Sequence, residues 1–442
     1  MRIVLLTAGA GGMYCGSCLH ANTLVAALRQ AGEDALLLPL YTPLRTDEEN
    51  VSLPPVAYGA VSVYLQQRWA VFRRTPWLLD RLTGWPTLLR WVGRRGATVR
   101  PENLGELTVS MLRGEEGRQH KELEKLVRWL QKEAQPDVIH LGNILLCGVA
   151  RELTRRLGVP VVCTLSGEDV FLEKLPEPHC GQARMVLCER SADLAGLAAM
   201  NRYYAEVMAD YLAVPRERLE VIRPGLNLSG HAPPAPQSPP SAADTLVPKT
   251  VTIGYLARVC PEKGLHLLAE AFRLLCEDGD LPAVQLRAAG YLHPADRPYL
   301  GEIRRRLAEW GLAERFHYVG ELDRPAKIAF LQSLDVLSVP TVYRESKGLS
   351  VLEAWANGVP AVLPAHGTFP ELIADTGGGL LCEPNDPAAL AEGLKRMIRQ
   401  PAFAAECGRR AQQIVHQRYS AEMMAQRTIQ WYRRVCGKQE CL

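Results

Sequence analysis

Two glutamates with seven residues between them flank a glycine in the stretch Glu345-Ser-Lys-Gly-Leu-Ser-Val-Leu-Glu353. Such a pair serves a ligand only where the backbone brings both carboxylates to it. The preceding Asp335-Val-Leu-Ser-Val-Pro340 reads as a short apolar strand. From Gly348 the spacing of Leu349, Val351, Leu352, Ala354 and Ala356 predicts a helix that Gly358 ends. The motif therefore belongs at a strand-to-helix turn, where unpaired amides and the positive end of the helix dipole would face an anion. Glu345 falls before that helix and Glu353 about a turn and a half inside it. One site then offers a phosphate cradle beside two acceptors for sugar hydroxyls.

A second set of chemically able residues lies upstream. Val251-Thr-Ile-Gly-Tyr-Leu256 alternates like a strand and runs into Ala257-Arg258-Val-Cys-Pro-Glu-Lys263-Gly264. Leu265, Leu268, Ala271, Phe272 and Leu275 then give a helical stripe. Arg258 offers a planar fork of donors and Lys263 a point charge. Fixed cations of this kind suit a departing diphosphate, whose leaving oxygens gain negative charge as the bond breaks.

Together the two motifs resemble the Glu-x7-Glu and Arg-x4-Lys-Gly signatures of the retaining glycosyltransferases of family 4, the "glycosyl transferases group 1". The resemblance implies that Glu345, Arg258 and Lys263 are catalytic: the glutamate touches the donor sugar, and the cations bind the donor diphosphate. It makes Gly348 and Leu349 the amides on that diphosphate and Glu353 the ribose contact, with the base near Val319-Gly320-Glu321-Leu322, hence Gly320 and Leu322. Lys347 stands where the family often has Phe, and adds a further phosphate partner. The implied fold is α/β of the GT-B type: two facing Rossmann-like, doubly wound domains with a cleft between them and a C-terminal helix crossing back. The implied reaction moves a sugar from a nucleoside-diphosphate sugar to a hydroxyl of a glycan, lipid-linked or small-molecule acceptor, with retention. No metal and no cofactor other than the nucleotide-sugar co-substrate is expected. A nucleotide-sugar epimerase of the same architecture, or a catalytically silent nucleotide- or glycan-binding module, are the alternatives.

The elements that must position these residues are legible in outline. A chain of 442 residues, 47% hydrophobic, is too long for one ordinary core and suits two α/β domains. Ser229 to Lys249 holds six prolines among Ser and Ala, a composition that favours an extended linker. This predicts a first, acceptor-side domain over 1–228, a linker over 229–249, a nucleotide-sugar domain over 250–418 and a terminal helical segment over 419–442, which by the resemblance packs on the first domain. A net charge of +3 gives no reason to invoke nucleic acid. Twelve cysteines, and a strand-like opening in place of a secretory leader, point to a reducing cytoplasm. No apolar run approaches the roughly 20 residues of a membrane span.

The first domain opens with Ile3-Val-Leu-Leu6, a glycine-rich turn containing Gly11 and Gly12, and a helix through Leu24, Ala27 and Leu28. A nicotinamide fingerprint would want Gly at position 14 and an acid after the second strand, where Tyr14 and Leu38-Pro39-Leu40 stand. By the resemblance Gly11 and Gly12 approach the donor phosphates, because glycine allows the backbone so close; otherwise they only let strand and helix pack. Cys15-Gly-Ser-Cys18 lacks the second pair of a closed zinc site, leaving packing thiols or redox sensitivity.

Asp137-Val-Ile-His140 resembles a family element at the carboxyl end of a strand, with His140 either an acceptor-site group or a structural histidine. After the next strand come Ser166, Glu168 and Asp169, with Ser166 where many members carry histidine. They are candidates for acceptor or sugar hydroxyls, the alternative being an N-cap. From 64 to 100, eight arginines are interleaved with Trp69, Phe72, Trp77, Trp85 and Trp91 against the single acid Asp80. This stretch reads as a peripheral contact with the anionic inner face of a membrane, as a pocket for an anionic acceptor, or as a plain insertion.

Overall fold

The structure, a computed structural model, describes residues 1–9, 15–53, 104–233 and 250–437. The chain divides into two compact units, Met1–Gly225 with Ala421–Leu442, and Leu226–Ser420. The expected glycine pair Gly11 and Gly12, the basic stretch 64–100 and most of the Pro-rich linker lie outside the described residues.

The first unit is built on a six-stranded sheet in the order β2-β1-β3-β4-β5-β6. Its strands are β1 (Arg2–Thr7), β2 (Asp34–Pro39), β3 (Val138–Leu141), β4 (Val161–Leu165), β5 (Gly196–Ala199) and β6 (Leu219–Val221). Every pairing is parallel. A parallel sheet is covered on both faces, so its strands are largely apolar. In β1 the side chains divide with the period of a strand: Ile3 and Leu5 join one cluster, Val4 and Leu6 the other. The first cluster contains Leu24, Val25 and Leu28 from the helix Gly16–Gln30, and Met424, Ile429, Trp431 and Tyr432 from the helix Ala421–Val435. The terminal helix thus completes the core of the unit that holds the N-terminus, as expected.

The second unit repeats the plan in the order β12-β11-β10-β7-β8-β9, again all parallel. Its strands are β7 (Thr250–Leu256), β8 (Ala283–Ala289), β9 (Phe316–Tyr318), β10 (Val336–Leu337), β11 (Ala361–Pro364) and β12 (Gly379–Cys382). From β7 the chain proceeds outward through β8 and β9, then returns to the other side of β7 for β10. The order therefore reverses between β7 and β10, which pair directly through Ile253 with Val336 and Gly254 with Leu337. At such a switch point the loops leaving the carboxyl ends of two neighbouring strands diverge and open a crevice for ligands. Residues 226–233 go with this unit: Arg324 donates to the carbonyls of Asn227 and Ser229, at 2.6 and 2.8 Å. The division thus falls after Gly225, where composition had placed it at 228.

Candidate functional site

The two motifs singled out by chemistry leave the two strands that flank the switch point of the second unit. Arg258 and Lys263 lie on the loop after β7, Glu345 and Gly348 on the segment after β10. The loops are joined backbone to backbone: Val342 N donates to Glu262 O at 2.9 Å. Gly264 sits at φ +73°, and a Cβ there would lie 1.8 Å from the Pro340 carbonyl, so the Arg-x4-Lys-Gly loop ends in glycine because the next loop passes against it. Tyr255, buried in β7, donates to the Arg258 carbonyl at 3.0 Å and fixes the start of the loop. The Arg258 side chain is exposed and forms no ion pair among the described residues.

Glu345 is buried and has both carboxylate oxygens filled. Oε1 accepts the amides of Ser346 and Lys347, each at 3.1 Å. Oε2 accepts Lys263 Nζ at 2.5 Å and the Tyr343 hydroxyl at 2.8 Å. Lys263 also donates to the Tyr343 oxygen at 2.6 Å, closing a triangle of Lys, Tyr and Glu. Burial by itself pushes the Glu345 carboxyl up; the charge and hydrogen bond of Lys263, the Tyr343 hydroxyl and the charge of Lys347 outweigh it and hold it at about 2. Burial, then the charge of Glu345, raise the Tyr343 phenol well above its ordinary value, so it stays a donor.

Gly348 caps the helix Leu349–Ala356 at φ +69°. A side chain at this cap would be strained, and its Cβ would lie 2.7 Å from Leu372 Cδ1. The amides of Gly348 and Leu349 donate to no acceptor among the described residues, which leaves two open donors at a helix N-terminus three and four residues after Glu345. Deeper in that helix Glu353 is buried and pairs with Lys327 Nζ, from the helix Arg324–Gln332. Gly320 and Leu322 follow β9 at the same sheet edge, where Gly290 N, after β8, donates to Gly320 O at 2.8 Å. Leu322 packs against the core, and Val319 beside it is 37% exposed.

In the first unit Ser166, Glu168 and Asp169 also meet at a carboxyl edge, but most of their polar capacity is spent internally. Glu168 Oε1 accepts the Ser166 hydroxyl at 2.8 Å and Ile144 N at 3.3 Å, and Oε2 accepts Ser166 N at 2.7 Å. The Tyr204 hydroxyl accepts the amides of Gly167 and Glu168 and donates to Asp169 Oδ1 at 2.7 Å. Glu168 thus staples the turn after β4, and its side chain does not cap the next helix. Ser17 donates to Ser166 at 3.1 Å, linking this turn to the first turn of the helix Gly16–Gln30. Asp169 and Ser166 remain at the edge as candidates.

Of the two readings of His140, the geometry fits the structural one. It is 1% exposed, its Nε2 bonds Thr164 Oγ1 at 2.7 Å, and its Nδ1 bonds the Tyr432 hydroxyl. No ring nitrogen is left for an acceptor, and burial, with the nearby charge of His20, lowers its pKa to about 3. It is a neutral core residue that ties the terminal helix to β3. Cys15 and Cys18, at the start of the helix Gly16–Gln30, are half-buried and buried and form no disulfide among the described residues.

The sequence reading missed Tyr343 and Lys327. Tyr343 stands two residues before Glu345 in a segment that is neither strand nor helix, so no periodicity assigns it a direction. Lys327 did carry a signal: it precedes Leu331 by four residues, which puts a lysine on the apolar stripe of its helix.

Comparison with known proteins adds to this geometry. The family described as "Glycosyl transferases group 1" matches residues 241–414, and "Glycosyltransferase Family 4" matches residues 100–229. A D-inositol 3-phosphate glycosyltransferase of Jonesia denitrificans is 30% identical over 308 residues, 65% of this chain and 70% of that one. A 2-deoxystreptamine glucosyltransferase of Streptomyces kanamyceticus is 25% identical over 68% of this chain and 78% of its own length. Among solved structures, sucrose-phosphate synthase from Thermosynechococcus elongatus matches with a TM-score of 0.71 at 19% identity, over 99% of this chain and 100% of that one. Anabaena HepE in complex with UDP matches with a TM-score of 0.67 at 17% identity, over 98% and 99%.

Proposed function

Because the chain belongs to the glycosyl transferases group 1 family and is a glycosyltransferase of the GT-B fold, we propose that it transfers a sugar with retention from a nucleoside-diphosphate sugar to a hydroxyl acceptor, using protein cations in place of a metal ion. The observation that carries this reading is the meeting of Lys263, Glu345 and the open amides of Gly348 and Leu349 where the β7 and β10 loops diverge, with Arg258, in no ion pair among the described residues, on the same β7 loop. A donor of this class agrees with the UDP and UDP-glucose held by Anabaena HepE.

The diphosphate lies on the open amides, with Arg258 and Lys263 against its oxygens. Glu353 accepts from the ribose, and Glu345, whose oxygens are already taken by four donors, faces the transferred sugar as a fixed charge. As the anomeric carbon–oxygen bond breaks, the sugar gains oxocarbenium character and the bonding pair leaves on the phosphate oxygen, where the cations and amides stabilise it. The acceptor hydroxyl attacks the same face and passes its proton to that departing oxygen. No glycosyl-enzyme forms in this scheme. Glu345, held anionic by four donors, is a fixed countercharge to the oxocarbenium rather than a nucleophile.

Incubation with labelled UDP-, GDP- and ADP-sugars, with and without glycan, inositol and lipid-linked acceptors, tests the proposal. Acceptor-dependent release of nucleoside diphosphate in the presence of a chelator, with an α-linked product from an α-linked donor, supports it. Acceptor-free isomerisation of the donor would instead make the protein an epimerase, and binding without turnover a silent module.

A further inference from the structure

Each glutamate of the pair has its own lysine: Lys263 on Glu345, and Lys327 on Glu353. Lys263 belongs to a recognisable motif, and Lys327 to none. Lys327 shares the buried face of its helix with Ile328, Phe330 and Leu331, and is 8% exposed. A lysine there is costly to desolvate unless paired, and its partner is Glu353 Oε1. Glu353 Oε2 accepts no hydrogen bond from the described residues. Asn357 Nδ2 donates to the Glu353 carbonyl at 2.9 Å and so fixes the backbone from which this carboxylate extends.

We propose that Lys327 is a positioning residue for nucleoside recognition: by holding Oε1 it presets Oε2 as the acceptor for the ribose hydroxyls of the donor. The proposal rests on the assignment of Glu353 to the ribose. A glutamate has three rotatable bonds, and a charge-assisted bond to one oxygen removes most of that freedom before the ligand arrives. The ribose then meets an acceptor already in place, and the preference for ribo- over deoxyribonucleotide depends on a side chain that does not touch the ligand.

Calorimetric titration of the full chain with UDP, GDP and ADP, each against its 2′-deoxy counterpart, reads this directly. The wild type is expected to bind the ribo form of its preferred nucleotide at least about tenfold more tightly, the scale of one hydrogen bond to a charged group. Glu353→Gln abolishes that ratio, and Lys327→Gln, melting cooperatively, brings it within about threefold of unity. A purely structural Lys327 would weaken both forms alike and leave the ratio intact; an intact ratio in the folded variant overturns the proposal while leaving Glu353 on the ribose. A wild type without any ratio removes the ribose role of Glu353, and one that binds no nucleotide removes the donor site, and the proposal with it. Should Lys327→Gln fail to fold, Lys327→Arg keeps the charge and shifts its head, and is expected to lower the ratio; an undiminished ratio in it overturns the proposal equally.

Discussion

Glu345 accepts four hydrogen bonds and keeps its charge well below neutral pH. Its folded pKa lies below the ordinary 4.5, so the stability it contributes is complete above that value and is lost only as pH falls toward about 2. Between pH 5 and 8 the rate of transfer should therefore show no ionisation of this group. Glu345→Gln keeps the shape but removes the countercharge of both the sugar cation and Lys263. Steady-state turnover should drop by about a hundredfold or more, the scale of losing one electrostatic contact to the transition state; a variant as fast as the wild type would show that the carboxylate does not touch the sugar. Lys263→Ala would be a less clean experiment, because it strands a buried carboxylate at a cost of about 3–5 kcal/mol in stability. Arg258, exposed and in no ion pair among the described residues, can be removed without that penalty.

At the scale of elements, position comes from two loops that lean on each other. Gly264→Ala forces a methyl group against the Pro340 carbonyl backbone, whereas Gly348→Ala meets the end of the Leu372 side chain, which can rotate. Both pay about 1 kcal/mol or more for a left-handed backbone. Thermal unfolding should accordingly fall further for Gly264→Ala, and equal losses would mean that the two loops are not packed as described. This scale also shows what the sequence could and could not reveal. The strands β7 and β10, the Gly348 cap and the helix behind it were readable because apolar alternation, helical spacing and a left-handed glycine each have a local cause. The reversal of order that brings Arg258 and Glu345 to neighbouring strands is not local, and entered only through family resemblance. His140 and Glu168 were left open for a related reason. A histidine ending a strand looks the same whether it faces a ligand or, as here, Tyr432, which lies far along the chain and supplies its partner. Glu168 looked available because its partners include an amide from another loop, Ile144.

At the scale of the molecule, the chain returns after Ser420 to finish its first unit, and the terminal helix is as much a part of that core as β1. Trp431→Ala should destabilise the protein by about 3–5 kcal/mol, and Tyr432→Phe by about 1–3 kcal/mol because it strands a nitrogen of buried His140. Denaturant titration of both variants checks this ranking, and a negligible loss for Trp431→Ala would contradict the packing. Two histidines give the folded state a pH limit. Burial is the main reason that His140 is lowered to about 3 and His231 to about 4, with nearby cations adding to the effect at His231. Each stays neutral when folded and takes a proton when unfolded below the ordinary 6.5, so stability is full above that value and declines as pH falls toward 4. Replacing His231 with Gln should flatten part of this decline in unfolding free energy measured from pH 7 to 4; an identical slope would assign the decline elsewhere.

The grip on a diphosphate is tested most directly by comparing how tightly the wild type and Arg258→Ala bind a nucleoside diphosphate and the matching monophosphate, by calorimetry on the full chain. The wild type should prefer the diphosphate strongly, and the variant, with an unchanged melting temperature, should lose about tenfold or more of that preference while binding the monophosphate nearly as before. A variant that keeps the full preference would show that the second phosphate is held somewhere other than the switch point between β7 and β10.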